Sequence, residues 1–198
     1  MARRLANDCP DTKVIIILRE PAARAMSAFR HMVVSGLEPL PASPDAVLFA
    51  DRERPEEQSY RYIERGFYLR QLKAFYKHIP NHQILVLIFE DDIVKNPRVG
   101  LERAFRFLGV SNPKLACLDT SPVNARRLSR TGIRMTRMCR RIPYARSIIW
   151  RLDAGLPLRR WEPGFSCRTL QQLNELFRAE KSALYEFLGF SISSWDRE

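Results

Sequence analysis

The stretch KVIIILREPAARAMSAF, residues 13–29, decides the fold. Its apolar residues 14–18 run without polar alternation, which predicts a strand over 13–18 that is buried on both faces, as in a parallel sheet. The apolar run ends abruptly at Arg19. Pro21 suits the first turn of a helix, and the Ala-rich residues behind it predict a helix over 21–35. A buried strand, a tight turn and a helix therefore follow one another directly.

The rest of the chain repeats this alternation. Residues 83–90 predict a second buried strand, and helix-like apolar spacing covers 60–78, 98–109 and about 168–188. The order strand–helix–helix–strand–helix is typical of an α/β fold with a parallel sheet. Further expectations are the end of a helix at 2–9, a helix C-cap at Gly36, a short helix at 45–52, a helical turn at DDIVKNP (91–97) and an irregular segment at 111–167. With no repeat or domain boundary visible, we expect one domain over 1–198.

Length and composition restrict the class of protein. The 198 residues are 45% hydrophobic, as in a globular chain. No apolar run approaches the ~20 residues of a membrane helix. The N-terminus lacks an apolar signal-peptide segment, so a cytoplasmic location is expected. The four cysteines (Cys9, Cys117, Cys139 and Cys167) form no CxxC pair, which predicts free, buried thiols rather than a zinc site.

The charge is concentrated in one segment. The net charge is +11, and the segment between Asp119 and Arg168 holds twelve arginines but only three acids. Such a block suggests an anionic partner such as a phosphate, a sulfate, a polyanion, nucleic acid or a membrane surface. A solvated basic segment without a partner is an equal alternative.

Arg19 and Ser27 are the candidate binding residues. In open α/β sheets, ligands bind beyond the carboxyl ends of the strands, where Arg19 lies. A guanidinium there can hold a phosphate with two parallel N–H bonds, and the Ser27 hydroxyl can add another. The alternative is structural: Arg19 pairs with an acid, Ser27 faces its own helix, and Arg24 packs.

The longer string KVIIILREPAARAMSAFRH resembles the 3′-phosphate-binding segment of sulfotransferases that use 3′-phosphoadenosine 5′-phosphosulfate (PAPS). That segment is a hydrophobic strand followed by L-R-x-P-x-x-R-A-x-S-x-[YF]. The matching residues here are Leu18, Arg19, Pro21, Arg24, Ala25, Ser27 and Phe29. The resemblance continues through 60–110 and spans roughly 5–195. It implies a P-loop NTPase-like parallel sheet flanked by helices, with Arg19 and Ser27 on the 3′-phosphate and Arg24 supporting the fold.

The chain departs from the family pattern at its start. Members carry a lysine-bearing K-x-G-[ST]-[ST] loop for the 5′-phosphosulfate and a catalytic Glu or His soon after it. Nothing of this kind precedes Lys13. We therefore expect a chain that is N-terminally incomplete, lacking its first strand–loop–helix and retaining the 3′-phosphate half of the PAPS site.

No catalytic residue is assigned. His31 is expected to pack or lie half-exposed, and His78 and His82 read as surface residues. Glu90 and Asp91 follow the second strand, where helix N-cap duty explains the acids. In sulfotransferases a later loop closes over the nucleotide, and in NARRLSRTGIR (124–134) Arg130 is the implied counterpart.

The implied function is sulfuryl transfer from PAPS to a hydroxyl or amine of a carbohydrate or small metabolite, with no metal. Two alternatives stay open. One is a basic protein that binds polyanions or nucleic acid, although no nucleic-acid-binding motif is present and no such partner is expected. The other is a nucleotide-binding remnant without catalytic activity.

Overall fold

The computed structural model describes residues 2–41, 43–55, 59–110 and 128–196. The elements in these ranges are α1 (Ala2–Asp8), β1 (Val14–Leu18), α2 (Pro21–Val34), α3 (Pro44–Ala50), α4 (Tyr68–Tyr76), β2 (Ile84–Ile88), α5 (Pro97–Leu108), α6 (Arg130–Met138), α7 (Ala145–Gly155) and α8 (Cys167–Leu188). Single turns of 3₁₀ helix occupy Asp51–Glu53, Glu64–Gly66 and Asn81–Gln83, and a π-helical segment occupies Phe89–Lys95. None of the helices in these ranges is both long and apolar enough to cross a bilayer.

The two strands form a parallel pair, in register from Val14 opposite Ile84 to Leu18 opposite Ile88. Parallel strands need a long crossover between them, which α2, α3 and α4 provide. Six predicted elements are confirmed to within one or two residues: both strands, α2, α3, α5 and α8. The predicted cap at Gly36 is also confirmed, because this glycine ends α2 with a φ of 71°.

Burial of β1 differs between its two faces. Ile16 and Leu18 pack on the hydrophobic core, whereas Ile17 is 53% exposed. Successive side chains of a strand point to opposite faces, so the Ile17 face is the less covered one. The prediction that β1 is buried on both faces is therefore wrong at Ile17.

The chain divides into two compact units. The first contains the described residues of 2–21, 67–110 and 175–196, and the second those of 22–66 and 128–174. The first unit is built around the sheet, and its core consists of Leu18, Tyr68, Leu72, Ile88, Leu184, Ile192 and Trp195. The expectation of one domain over the whole chain stays a prediction.

The second unit has an aromatic core next to a buried carboxylate. The Phe29 ring of α2 meets the rings of Tyr62 and Phe165 edge-on, each at 5.7 Å between centroids. Asp51 is buried and accepts the backbone N–H of Tyr60 at 2.9 Å and that of Tyr62 at 3.0 Å. These bonds hold residues 60–62 in a non-helical turn. The predicted helix over 60–78 is therefore wrong before α4.

The described part of the basic segment is helical, so the prediction of an irregular 111–167 is wrong over α6 and α7. Ser129 caps α6, since its Oγ accepts the N–H of Gly132 at 3.1 Å. The buried Asp153 of α7 accepts the Ser129 N–H at 2.9 Å and binds Arg160 at 2.6 Å. This carboxylate organises a segment whose Arg and Pro content obscured the pattern. Residues 111–127, including Cys117, lie outside the described residues.

The remaining cysteines are free thiols, as predicted. Their predicted burial is wrong, because Cys9 and Cys167 are exposed and Cys139 is half-buried. Cys9 directly follows α1 and Cys167 begins α8, so both lie at helix ends rather than on core-facing positions.

Candidate functional site

The carboxyl ends of β1 and β2 lie side by side in the first unit. Because Leu18 is opposite Ile88 in the parallel register, both strands end at the same edge of the sheet. The next residues are Arg19 on one strand and Phe89-Glu90 on the other. This edge is where α/β proteins bind ligands, and here it brings a cation, an aromatic ring and a carboxylate together.

Arg19 lies against Phe89 and Glu90, the two residues that follow β2. Its guanidinium carbon lies 4.9 Å from the centre of the Phe89 ring, a cation–π distance. Its Nε is 3.9 Å from Glu90 Oε1, too long for a hydrogen bond. That Nε is buried and has no hydrogen-bond acceptor in the described part of the chain, while the side chain as a whole is 34% exposed. The guanidinium is oriented but retains donor capacity for an anion.

The Arg19 backbone is fixed from a separate direction. The Tyr68 hydroxyl, at the start of α4, donates to the Arg19 carbonyl oxygen at 2.8 Å. Tyr68 is itself a core residue. The turn between β1 and α2 is thus tied to the core of the first unit directly behind the guanidinium.

Glu90 connects three segments of the first unit. Its Oε1 accepts the backbone N–H of Glu20 at 3.1 Å, and its Oε2 accepts the indole N–H of Trp195 at 2.8 Å. The neighbouring Asp91 accepts the Ser194 hydroxyl at 2.9 Å. The prediction that Glu90 and Asp91 serve as helix N-caps is wrong, because both carboxylates bind groups distant in sequence. The acid that binds the end of β2 is Asp92. It accepts the Ile88 N–H at 2.7 Å and pairs with Arg103.

A largely buried ion pair between Glu20 and Lys181 lies beside the ion pair of Arg19 and Glu90. Lys181 of α8 is 2.9 Å from the Glu20 carboxylate and also donates to the Trp195 carbonyl oxygen at 3.2 Å. Two acids and two cations therefore lie together at this edge of the sheet. Lys181 is not among the residues predicted from the sequence, although a signal is present: it continues the four-residue spacing of the buried Leu173 and Phe177, where an apolar residue is expected.

Tyr185, one turn after Lys181, interacts electrostatically with Glu20 at this edge. Burial raises the pKa of its phenol, and the bond to Asp196 at 2.9 Å and the nearby Glu20 raise it further. The phenol therefore keeps its proton to a higher pH than an ordinary tyrosine and donates it to Asp196.

The other predicted binding residues lie in the second unit. Ser27 is half-buried in the second turn of α2, and Arg24, one turn earlier, donates to the Tyr62 carbonyl oxygen. That contact agrees with the structural role predicted for Arg24. Arg130 is the exposed first residue of α6, next to the Ser129 cap. The binding roles of Ser27 and Arg130 stay predictions.

The histidines offer no buried base. His31, His78 and His82 are all exposed, which agrees with the predicted surface positions of His78 and His82 and leaves His31 more exposed than expected. Over the described ranges, no cluster of three or more His, Cys, Asp or Glu side chains could hold a metal ion.

Comparison with known proteins gives a consistent result. A family described as "Sulfotransferase domain" matches residues 7–124, more than half of the chain. Two curated mouse (Mus musculus) proteins, heparan sulfate glucosamine 3-O-sulfotransferases 3B1 and 3A1, are each 29% identical over 108 residues, which is 54% of this chain and 27% of theirs. The chain thus spans about a quarter of the length of these relatives.

The fold also has a counterpart of known structure. The crystal structure of a sulfotransferase from Alicyclobacillus acidocaldarius matches with a TM-score of 0.66 at 22% identity. The match covers 99% of this chain and 62% of that one. The predicted α/β class, a parallel sheet flanked by helices, is confirmed by this match.

Proposed function

The chain belongs to the sulfotransferase domain family, and on that premise we propose that it binds PAPS and takes part in transfer of its sulfuryl group to a hydroxyl or amine. The observation that carries the proposal is the state of Arg19. Its guanidinium is oriented by Phe89 and Glu90 at the carboxyl edge of the sheet, and its buried Nε has no hydrogen-bond acceptor in the described part of the chain. A phosphate would bind the part of this side chain that remains exposed.

The proposed role of Arg19 and Ser27 is to hold the 3′-phosphate. Bidentate guanidinium contacts are among the strongest hydrogen bonds to phosphate, and a serine hydroxyl adds a directional donor. A ligand without the 3′-phosphate leaves these groups desolvated and unpaired, which a polar site disfavours strongly. The arrangement would thus select PAPS and its product over ordinary adenine nucleotides.

The chemistry of this reaction depends mainly on positioning and on charge stabilisation, as phosphoryl transfer does. PAPS supplies the sulfuryl group, and the residues at the sheet edge would fix one end of the nucleotide relative to it. The buried Glu20–Lys181 pair and the Trp195–Glu90 bond connect that edge to α8 and to the last segment of the chain. Arg130 is proposed as a further contact to the nucleotide.

The proposed acceptor is a carbohydrate hydroxyl, with an amine or a small metabolite as the wider class. The names of the two mouse relatives state sulfation of a sugar hydroxyl in heparan sulfate glucosamine. The cytoplasmic location stays a prediction.

Calorimetric titration with 3′,5′-adenosine bisphosphate and with 5′-AMP tests the phosphate site. We expect the wild type to prefer the bisphosphate and Arg19→Ala to lose about 1.5–3 kcal/mol of that preference, as for a hydrogen bond to a charged group. Ser27→Ala should lose a smaller part. Arg98→Ala, which removes an exposed arginine from α5, is the matched control and should behave as wild type.

Equal binding of both nucleotides by folded wild type would contradict the proposed site and favour the general polyanion-binding alternative. A transfer assay with PAPS and a glucosamine oligosaccharide then addresses catalysis. Bisphosphate binding without transfer to any hydroxyl or amine acceptor would identify a nucleotide-binding remnant and overturn the proposed activity.

A further inference from the structure

Helix α7 exposes an apolar stripe. Tyr144, Ile148, Leu152 and Leu156 recur at intervals of four residues, and each is between 52% and 84% exposed. Ile148 and Leu152 lie one turn apart on the same side of the helix, and Tyr144 and Leu156 are the residues that flank its two ends. Ile149 and Asp153 are buried on the other side. Large apolar side chains exposed in a continuous row are unusual on a monomer surface and mark an interaction site.

Arginines accompany this stripe. Arg151 lies next to it on the helix, and Arg140 and Arg141 lie in the turn that leads into α7; all three are exposed. Among the described residues of 128–168 there are ten arginines but only two acids. One of these acids, Asp153, is buried against Arg160. We call the four apolar residues together with Arg140, Arg141 and Arg151 the α7 face.

We propose that the α7 face docks on the surface of an anionic lipid bilayer. A helix at such a surface inserts its apolar side chains at the boundary between headgroups and acyl chains, and basic residues beside it bind anionic headgroups. Arginine has a long aliphatic stem, so its charge can reach the headgroups while the stem lies along the apolar boundary. The α7 face supplies both components, and its charge complements the bilayer surface.

Other occupants fit the α7 face less well. A second copy of the chain would bring two positively charged faces together in a two-fold interface. A soluble polyanion would engage the arginines but leave the apolar stripe in water. A bilayer surface uses both sets of side chains at once.

Sedimentation with vesicles tests the proposal on the full chain. Vesicles of equal parts phosphatidylcholine and phosphatidylglycerol are compared with phosphatidylcholine alone at physiological salt. We expect binding to the anionic vesicles, reduced about tenfold or more by Ile148→Ser with Leu152→Ser. Arg140→Gln with Arg141→Gln should reduce it by a similar factor.

Matched controls distinguish binding by the α7 face from nonspecific hydrophobic or electrostatic binding. Val94→Ser with Val99→Ser removes two exposed apolar side chains elsewhere, and Arg98→Gln with Arg106→Gln removes two exposed charges from α5. Both control variants should bind the anionic vesicles nearly as the wild type does. None of the substituted residues is a proposed nucleotide contact, so all variants should keep wild-type binding of 3′,5′-adenosine bisphosphate.

The proposal is overturned if the wild type binds neither vesicle, or if the controls lose as much binding as the α7 variants. Binding to soluble polyglutamate that requires Ile148 and Leu152 would instead identify an acidic protein as the partner. A concentration-dependent dimer that the serine variants abolish would identify a second copy, and would equally overturn the proposal.

Discussion

Arg19 has contacts of two kinds, and neither satisfies its hydrogen-bond donors. The Phe89 ring attracts the guanidinium without accepting a conventional hydrogen bond, and Glu90 lies 3.9 Å from Nε. The oxygens of Glu90 are already bonded to the Glu20 amide and the Trp195 indole. The same carboxylate therefore orients Arg19 electrostatically and leaves its N–H groups available to an anion.

Glu90→Gln tests this role of the carboxylate. The side-chain amide has one acceptor oxygen, so it can serve the Glu20 N–H or the Trp195 N–H but not both, and its NH₂ group faces the remaining donor. We expect the free energy of unfolding in urea to fall by about 1–3 kcal/mol. Glu186→Gln, an exposed acid on α8, should change it little. Equal stability of the two variants would show that the Glu90 bonds contribute nothing net.

The position of Arg19 at the end of β1 could be predicted from the sequence, whereas the positions of its partners could not. Arg19 could be identified because strand, turn and helix are contiguous, so a local pattern marks the position. Lys181 and Trp195 reach the same edge from the last segment of the chain, and only the packing of α8 brings them there. Such partners are set by tertiary contacts rather than by local spacing.

Among the elements, the end of α2 depends on close approach of two backbones. Gly36 follows α2 with a φ of 71°, and a Cβ added there would lie 2.9 Å from the Cα and N of Arg137 in α6. Gly189 follows α8 with a φ of 76°, but a Cβ there meets nothing within 4 Å. The two glycines share the left-handed backbone and differ in the space around it.

Gly36→Ala and Gly189→Ala therefore separate backbone strain from steric overlap. Both should lose about 1–2 kcal/mol of stability from the left-handed conformation. Gly36→Ala should lose a further ~1–3 kcal/mol, since α6 must move or strain to accommodate the methyl group. Thermal and urea unfolding of both variants measure the difference. If the two lose equal stability, the approach of α6 to Gly36 is looser than the structure indicates.

The predicted elements were correct where the apolar periodicity was uninterrupted. They were wrong where a single side chain determined the backbone conformation. Residues 60–67 carry a helical apolar pattern, yet Asp51 binds the amides of Tyr60 and Tyr62, and Arg61 adopts a φ of 52°. Asp153 has the opposite effect in the basic segment, which was predicted to be irregular. It stabilises helices there, because it anchors the start of α6 to α7. Neither carboxylate could be assigned a partner before the fold was known.

For the whole molecule, we expect three tyrosines, Tyr62, Tyr76 and Tyr185, to contribute to a loss of stability at alkaline pH. Burial raises the pKa of Tyr62 above its ordinary value of 10.0, and the bond that its hydroxyl donates to Glu38 raises it further. Burial likewise raises the pKa of Tyr76 and Tyr185. Above pH 10 the unfolded chain has lost these protons while the folded chain keeps them. The contribution of these phenols to stability is therefore fully present below that pH and is lost as the pH rises.

Urea unfolding between about pH 8 and about pH 11 measures this fall. Tyr62→Phe should be less stable than the wild type at pH 8, because the buried Glu38 loses a donor, but its stability should fall less on the way to pH 11. Tyr144→Phe removes an exposed phenol and should retain the wild-type slope. A wild-type slope in Tyr62→Phe would mean that other groups govern the alkaline transition.

The bond between the Trp195 indole and Glu90 also provides an optical reporter. Indole fluorescence responds to nearby charge and to the polarity around the ring, and this indole is bonded to the carboxylate that faces Arg19. An anion that reaches Arg19 changes the field at the ring directly, whereas the other tryptophans, Trp150 and Trp161, belong to the second unit. Replacing those two with phenylalanine would leave a protein whose single emission signal reports occupancy of the strand edge, without any label attached.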